Sequence, residues 1–307
     1  MFTKKAYPEF SWSHSRHKTL FECAKKYGFH YYFSHNGWLN GSSDQAKEAY
    51  RLKKITNLPI HFGEIVHDII EKVIRNFIKT GLIPEEEQLT KVVRQGLNQA
   101  FIDSVRNKEL WFQKPSRYKM LHEIYYSGSL QAHDKQRIEE RLEACLKHFL
   151  ASETFTEVTT NKNLTFIEAE QFHTMMINQV KVYVVMDFLY HDLKRDKWII
   201  VDWKTGKESA DDQKQLALYA LYVKENRRIP LEQIEIRNEY LVSGTSKTYQ
   251  VTEADIEALR KQIELSVVEM NKYVIDEDTN QPVELSFFKK TEHEKKCQSC
   301  NYKQICL

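Results

Sequence analysis

The stretch VVMDFLYHDLKRDKWIIVDWKTGK, residues 184–207, decides the fold. It contains two runs of β-branched and aromatic residues with a polar segment around residues 195–196 between them, which predicts two strands joined by a tight turn. Asp187 lies inside the first predicted strand, and Asp202 lies at the end of the second. Because strand side chains alternate between faces, Asp202 and Lys204 project from the same side. The turn is therefore expected to bring Asp187 within reach of Asp202.

Two carboxylates and a lysine in this arrangement indicate a metal-dependent hydrolase. Carboxylates that converge at the edge of an apolar sheet repel each other and carry a desolvation cost, and a divalent cation offsets both effects. Hard oxygen ligands suit Mg²⁺ or Mn²⁺. Lys204 can orient or help to deprotonate an attacking water, and can offset charge on a phosphate in the transition state. For Asp202 and Lys204 alone, a strand-end ion pair is the simpler interpretation; the second acid, Asp187, favours the hydrolase.

Apolar patterning outside this stretch predicts a mixed α/β or α+β protein. Segments rich in β-branched and aromatic residues predict strands over residues 164–177, 180–192, 197–205 and 234–242. Apolar residues at helical spacing predict helices over residues 13–33, 63–79, 211–224 and 253–273, with more helix before residue 150. A polar stretch over residues 34–44 predicts a loop. This order of elements predicts a central mixed sheet flanked by helices.

The composition is that of a globular protein. Of 307 residues, 41% are hydrophobic and 29% charged, which allows a sizeable buried core. The net charge is only +2, so contacts with nucleic acid must come from local clusters of Lys and Arg. The first residues do not resemble a signal peptide, and no run approaches the roughly 20 apolar residues that cross a bilayer. We therefore expect a cytoplasmic location without membrane contact.

Four of the five cysteines have the spacing of metal ligands. Cys297, Cys300 and Cys306 form a C-x₂-C-x₅-C pattern near one end of the sequence, and Cys23 lies near the other. In a reducing compartment such cysteines are more often ligands or core residues than disulfides. Four thiolates suit either Zn²⁺ or an iron–sulfur cluster, and residue chemistry alone does not choose between them. Cys145 falls in the apolar stripe of a predicted helix and is expected to be a core residue.

The catalytic motifs resemble those of PD-(D/E)XK nucleases of the RecB type, a family that includes RecB and AddAB helicase–nucleases and CRISPR-associated RecB-like exonucleases. The resemblance rests on Asp187, on VDWKTGK at residues 201–207 and on QLALYALYV at residues 215–223. It implies a restriction-endonuclease-like fold with a helical insertion. It also implies that Asp187 and Asp202 hold Mg²⁺ or Mn²⁺ and that Lys204 takes part in catalysis.

Further positions match the same family. Gln215 and Tyr219 share a helix face, where the family places a Q-x-x-x-Y pair near the active site; packing on the sheet is the alternative. His67 stands in a G-x-x-x-H-x-x-x-E pattern over residues 63–71 whose His is a metal ligand in the family, although a His at a helix edge is more often packed or solvent-facing. Glu170 matches a family Glu two residues before a Phe, and we expect it to support the site.

The cysteines resemble the iron–sulfur staple of AddAB-type and CRISPR-associated nucleases, in which a 4Fe-4S cluster joins the first helix to the C-terminal tail. This favours a cluster on Cys23, Cys297, Cys300 and Cys306, with Zn²⁺ as the alternative. The implied organisation is one nuclease domain over residues 1–307. Its parts are an iron–sulfur lobe (residues 1–62 and 274–307), a helical part (residues 63–160) and a catalytic part (residues 161–273).

Together these features predict a metal-dependent DNA nuclease. We expect an exonuclease that acts on single-stranded DNA or DNA ends in repair, recombination or defence. The sequence has no G-x-x-x-x-G-K-[ST] loop, so a helicase motor would have to come from a partner protein. The alternatives are a catalytically silent DNA-end-binding or helicase-partner module on the same fold, and a zinc-stapled interaction protein.

Overall fold

The structure, a computed structural model, describes residues 4–209 and 212–306. Its strands, in chain order, are β1 Ile55–Thr56, β2 Met120–Leu121, β3 Leu164–Ile177, β4 Val180–Asp192, β5 Lys197–Lys204, β6 Ile234–Tyr240, β7 Thr245–Tyr249, β8 Val274–Asp276 and β9 Gln281–Pro282. Its α-helices are α1 His14–Glu22, α2 Ala24–Gly28, α3 Asp44–Lys53, α4 Leu58–Thr80, α5 Glu86–Arg106, α6 Lys108–Gln113, α7 His122–Ser127, α8 Ala132–Leu150, α9 Glu153–Thr160, α10 Asp212–Arg227, α11 Glu253–Asn271 and α12 Glu294–Gln298. Shorter helical turns are a π-helical turn at Phe29–Phe33 and 3₁₀ turns at Leu231–Gln233 and Leu285–Phe287.

A mixed sheet with the strand order β3-β4-β5-β6-β7 forms the centre of the protein. The strands β3, β4 and β5 are antiparallel neighbours, β6 runs parallel to β5, and β7 is antiparallel to β6. A parallel neighbour requires a crossover connection, and α10 lies in the crossover between β5 and β6. This mixed sheet with flanking helices confirms the predicted fold class and is consistent with a restriction-endonuclease-like fold.

The strand predictions are confirmed for the two central hairpins. The bounds of β3 and β4 are those predicted, and β5 ends one residue earlier. Asn178 and Gln179 join β3 to β4 with positive φ angles of 48° and 65°, as a two-residue turn that matches the twist of its strands requires. The polar segment 193–196 joins β4 to β5 as expected. The sequence does not predict β7, because none of its residues is buried and it lacks an apolar alternation.

Where β4 pairs with β5, each face of the central sheet is covered by its own hydrophobic core. On the first face, helices α10 and α11 pack against Val184, Met186 and Ile200, among others. On the second face, helices α4, α5, α8 and α9 pack against Phe188 and Val201. Successive strand residues point to opposite faces, so a strand covered on both sides needs apolar residues at nearly every position. This accounts for the continuous apolar runs at residues 188–190 of β4 and residues 199–201 of β5.

A third core joins the two ends of the described chain. The rings of Phe29 and Tyr302 stack with their centroids 5.2 Å apart and their planes 11° apart. The same core contains Trp111 and Met120, which belong to the segment that we assigned to the helical part. The N-terminal segment and the C-terminal tail therefore pack together. The finer division of the domain into three parts stays a prediction.

The first predicted helix is interrupted, which corrects the expectation of one helix over residues 13–33. Cys23 lies between α1 and α2 with an extended backbone (φ −166°), and its sulfur accepts a hydrogen bond from the backbone N–H of Lys26. Apolar spacing does not reveal this break, because Leu20 of α1 and Tyr27 of α2 are both buried in the first core. The result is that Cys23 caps α2 instead of lying within a helix.

The helix that carries His67 is longer than its apolar pattern predicts. It begins at Leu58, because the side chain of Asn57 accepts the backbone N–H of Ile60 and so caps the helix. The helix predicted over residues 211–224 corresponds to α10, and residue 211 lies outside the described residues. In the parts of the chain that the structure describes, no helix combines the length and apolar character needed to cross a membrane.

Candidate metal-binding active site

Three site residues from different elements meet in one cluster, which we call the metal trio. His67 lies on α4, Glu170 on β3 and Asp187 on β4, and one ligand atom of each lies within 4.8 Å of the others. The Nδ1 atom of His67 is 3.3 Å from Oδ2 of Asp187 and 3.4 Å from Oε1 of Glu170. An imidazole with two carboxylates is a suitable donor set for Mn²⁺ and one that Mg²⁺ tolerates. The fold therefore assembles a candidate site for a divalent cation.

The backbone around the trio departs from regular sheet geometry. Hydrogen-bonded pairing between β4 and β5 ends at Phe188 and Val201. Beyond this point, Oδ2 of Asp187 accepts a hydrogen bond from the backbone N–H of Trp203 at 2.7 Å. A side-chain carboxylate of β4 therefore binds a backbone N–H of β5. Glu170 has a φ of 50°, a left-handed conformation that costs a non-glycine residue about 1–3 kcal/mol. Both acids are thus turned out of the regular ladder at the position where they meet.

Asp202 and Lys204 lie beside the trio and form an ion pair. Asp202 is buried, and its Oδ2 is 2.6 Å from Nζ of Lys204. The strand-end ion pair, which was the simpler interpretation of Asp202 and Lys204 from the sequence, is therefore present. It does not stand alone: after burial, the charge of the neighbouring Asp187 is the next cause that raises the pKa of Asp202. The structure brings His67, Asp187, Asp202 and Lys204 into one neighbourhood, as the sequence predicts.

The two buried aspartates have opposite pKa shifts. Burial and the neighbouring Asp187 charge raise the pKa of Asp202 to about 7. Burial also acts to raise the pKa of Asp187, but the charge and hydrogen bond of His67 outweigh it and hold this pKa below its usual range. Burial acts to lower the pKa of His67, and the carboxylates of Asp187 and Glu170 raise it well above its ordinary value. A cation that enters the trio therefore competes with the proton of His67.

Gln215 and Tyr219 lie behind the carboxylates. Tyr219 is 2% exposed and belongs to the first core, and its hydroxyl accepts a hydrogen bond from Nε2 of Gln215. Burial, followed by the charges of Asp202 and Asp187, raises the pKa of Tyr219 well above its ordinary value. The hydroxyl therefore stays neutral. The sequence offered packing on the sheet and proximity to the site as alternatives for Tyr219. The structure shows both: the residue packs in the first core and interacts with the site carboxylates.

An open cleft of about 680 Å³ reaches two residues of the trio, His67 and Glu170. His67 and Glu170 line it together with Arg141 and Thr205. Arg141 donates a hydrogen bond from Nε to the backbone oxygen of Thr205 at 3.1 Å, which fixes the segment after β5 and places a cation in the cleft wall. Such a guanidinium suits a phosphate. The sequence does not reveal Arg141, since it lies on α8, far from the catalytic motif along the chain.

The four spaced cysteines also come together. Cys23, Cys297, Cys300 and Cys306 line one cavity of about 60 Å³. No three of their sulfur atoms, all within the described residues, lie within 4.8 Å of one another. Burial raises the pKa of Cys300 and of Cys306, so that a cation is needed to hold either as a thiolate. The lysines that line the same cavity are Lys26, Lys290, Lys296 and Lys303.

Cys145 lies apart from the other cysteines. It is fully buried in the second core, and burial raises the pKa of its thiol to about 12. The prediction that it is a core residue is confirmed.

The family comparison covers both sites. A family model described as the PD-(D/E)XK nuclease superfamily matches residues 11–307, a span that includes the metal trio, the Asp202–Lys204 pair and the four cysteines of the cavity. No curated protein matches the chain.

Proposed function

The chain belongs to the PD-(D/E)XK nuclease superfamily, and we propose that it hydrolyses the phosphodiester bonds of DNA with Mg²⁺ or Mn²⁺. Members of this superfamily are generally nucleases that use divalent metal ions. The observation that carries the proposal is the metal trio in an open cleft beside a buried carboxylate–lysine pair. We propose further that the enzyme is RecB-like and acts as an exonuclease on single-stranded DNA or DNA ends, in repair, recombination or defence.

We assign the metal ligands to His67, Asp187 and Asp202, and add Glu170. The first three follow from the family resemblance, and Glu170 follows from its place in the trio. A bound divalent ion would stabilise negative charge on a phosphate and make a water molecule more acidic. Asp202 stays in the set because its raised pKa reflects burial and repulsion by Asp187, which a cation relieves.

Lys204 is proposed to stabilise charge on the reacting phosphate. The change Lys204→Ala should lower the rate of DNA cleavage by about a hundredfold to a thousandfold, the loss typical of removing one preorganised charge-stabilising donor. The matched control is Lys197→Ala, which removes a lysine from the opposite end of β5. Initial rates of cleavage with end-labelled DNA and saturating Mn²⁺ measure the effect. A Lys204→Ala enzyme that cuts at the wild-type rate would show that the lysine has no catalytic part.

Glu170 is proposed to bind the metal directly. The change Glu170→Gln should weaken Mn²⁺ binding by about tenfold or more, because it removes one negative ligand while keeping the shape of the side chain. The matched control is Glu64→Gln, since Glu64 lines the same cleft but pairs with His61 and Lys119 outside the trio. Titration calorimetry with Mn²⁺ compares the variants. Equal affinities for the two variants and the wild type would remove Glu170 from the ligand set.

We propose that Cys23, Cys297, Cys300 and Cys306 hold a 4Fe-4S cluster. The support for a cluster is the resemblance of the four cysteines to the iron–sulfur staple of related nucleases, together with their place around one cavity. Four thiolates also suit a single Zn²⁺, which stays the alternative. The lysines around the cavity offset the negative charge of four thiolates.

A cleavage assay tests the proposed function. The protein, purified without oxygen, is incubated with end-labelled single-stranded and duplex DNA in the presence of Mn²⁺, Mg²⁺ or EDTA. We expect degradation with either metal and none with EDTA, with products released from an end. Internal cuts would correct the exonuclease assignment. If iron-replete protein cleaved neither DNA under any condition, the enzyme assignment would fall in favour of a silent DNA-binding module.

A further inference from the structure

The outer half of the β3–β4 hairpin has one covered face and one bare face. Met175, Val182, Val184 and Met186 point into the first core. The residues that alternate with them point the other way. We call these the outer hairpin face: Phe172, Thr174, Met176, Lys181, Tyr183 and Val185. On this face Phe172 is 65% exposed and Met176 is 61% exposed.

The bare face belongs to a well-anchored hairpin. The backbone of Trp12, whose side chain is fully buried, pairs with the free edge of β4: its N–H donates to the oxygen of Lys181 at 2.8 Å, and its oxygen accepts the N–H of Tyr183 at 2.9 Å. The opposite face of the hairpin is packed in the core. The exposed Phe172 ring and the half-buried Tyr183 ring are thus held on a fixed support, and a ligand that binds there orders little of the protein.

The side chains of the outer hairpin face have the chemistry of a stacking surface. The rings of Phe172 and Tyr183 lie with their centroids 5.0 Å apart and their planes at 40°. The Nζ atom of Lys181 is 5.8 Å from the centre of the Tyr183 ring. Lys181 also pairs with Glu9 at 2.9 Å, which offsets part of its charge. Aromatic stacking therefore contributes more to this surface than phosphate attraction does.

The outer hairpin face adjoins the metal trio. Phe172 follows Glu170 by two residues on β3, and Val185 precedes Asp187 by two residues on β4. Two residues of strand span roughly 7 Å. A nucleic acid strand whose phosphate reaches the trio can therefore place an adjacent nucleotide beside Phe172, whose ring contacts that of Tyr183.

The size and chemistry of the outer hairpin face identify its occupant. Its six side chains are far fewer than the roughly 20–30 residues that each partner contributes to a stable protein interface. Exposed rings bind bases through their flat faces, and these faces are available only where bases are unpaired. We propose that the outer hairpin face is a stacking platform for unpaired nucleotides next to the scissile phosphate. This proposal rests on the proposed nuclease function, and it means that the substrate of the nuclease is single-stranded at the active site.

Binding measured without cleavage tests the platform. A fluorescein-labelled single-stranded oligonucleotide and the same oligonucleotide with abasic sites are titrated in EDTA and followed by fluorescence anisotropy. The wild type should bind the intact strand at least about tenfold more tightly than the abasic one. The double variant Phe172→Ala/Tyr183→Ala should bind both strands equally, and Phe172→Trp should keep the preference. The matched control is Phe287→Ala, which removes an aromatic ring with 66% exposure elsewhere on the protein.

Each outcome bears on one proposal only. A double variant that keeps the preference for intact bases, or a wild type that lacks it, overturns the platform even if the protein cleaves DNA normally, and the surface is then available to a protein partner. A wild type that prefers intact bases but cleaves nothing with Mn²⁺ or Mg²⁺ supports the platform and contradicts the nuclease. Circular dichroism of the double variant checks that its fold is unchanged.

Discussion

Asp187→Asn should lower metal-dependent cleavage of DNA by about a thousandfold or more. The asparagine keeps the size of the side chain and an oxygen that can accept the N–H of Trp203, so the strand geometry should persist. It removes the negative charge that faces His67 in the trio. Affinity for the cation should fall with it, because hard divalent cations depend on anionic oxygen ligands. Initial cleavage rates over a Mn²⁺ titration, with calorimetry for binding, measure both losses.

The matched control for this variant is Asp192→Asn, the same chemical change five residues further along β4. Asp192 is also buried, but it accepts hydrogen bonds from Lys194 and Arg195 in the turn to β5 and lies outside the trio. Its replacement should reduce stability by about 1–3 kcal/mol and leave cleavage close to the wild-type rate. Equal loss of cleavage in both variants would mean that folding, and not metal binding, explains the effect. Full activity of Asp187→Asn would exclude Asp187 as a ligand.

If the proposed iron–sulfur cluster is bound, Cys300→Ser should remove it and weaken the packing of the N-terminal segment against the C-terminal tail. Cys23 and Cys300 lie far apart in the sequence, and a group bound to both closes a very long loop. By analogy with other cross-links that close long loops, loss of the group bound to both cysteines should lower the free energy of unfolding by roughly 2–5 kcal/mol. The measurements are iron content, visible absorbance, and denaturant unfolding of anaerobically prepared protein.

Cys145→Ala is the matched control, because Cys145 lies in the second core and lines no part of the cysteine cavity. This variant should keep its iron and its colour and lose only the packing of one small side chain. A colourless wild type with one equivalent of zinc would contradict the cluster. A Cys300→Ser protein with the iron content of the wild type would show that Cys300 is not a ligand.

The sequence by itself determined the features that depend on near neighbours. Alternating and continuous apolar runs identified β3, β4 and β5 with almost no error, because strand periodicity and turn chemistry are local properties. The same reasoning placed Asp187 opposite Asp202 across a short turn. It also singled out Cys23 and the C-terminal cysteines, although residue chemistry alone left zinc and iron open and only the family resemblance favoured a cluster. It missed β7, whose polar residues carry no strand pattern.

Only the tertiary structure decided which distant residues meet. It joined Glu170, expected to be a supporting residue, to His67 and Asp187 through a left-handed kink in β3. It placed Arg141 in the cleft wall, and it left the Phe172 ring exposed against the half-buried ring of Tyr183. Periodicity reports only that a residue faces a core or solvent. Which elements pack against that residue depends on long-range contacts, whose free energy is gained only when the whole chain is folded.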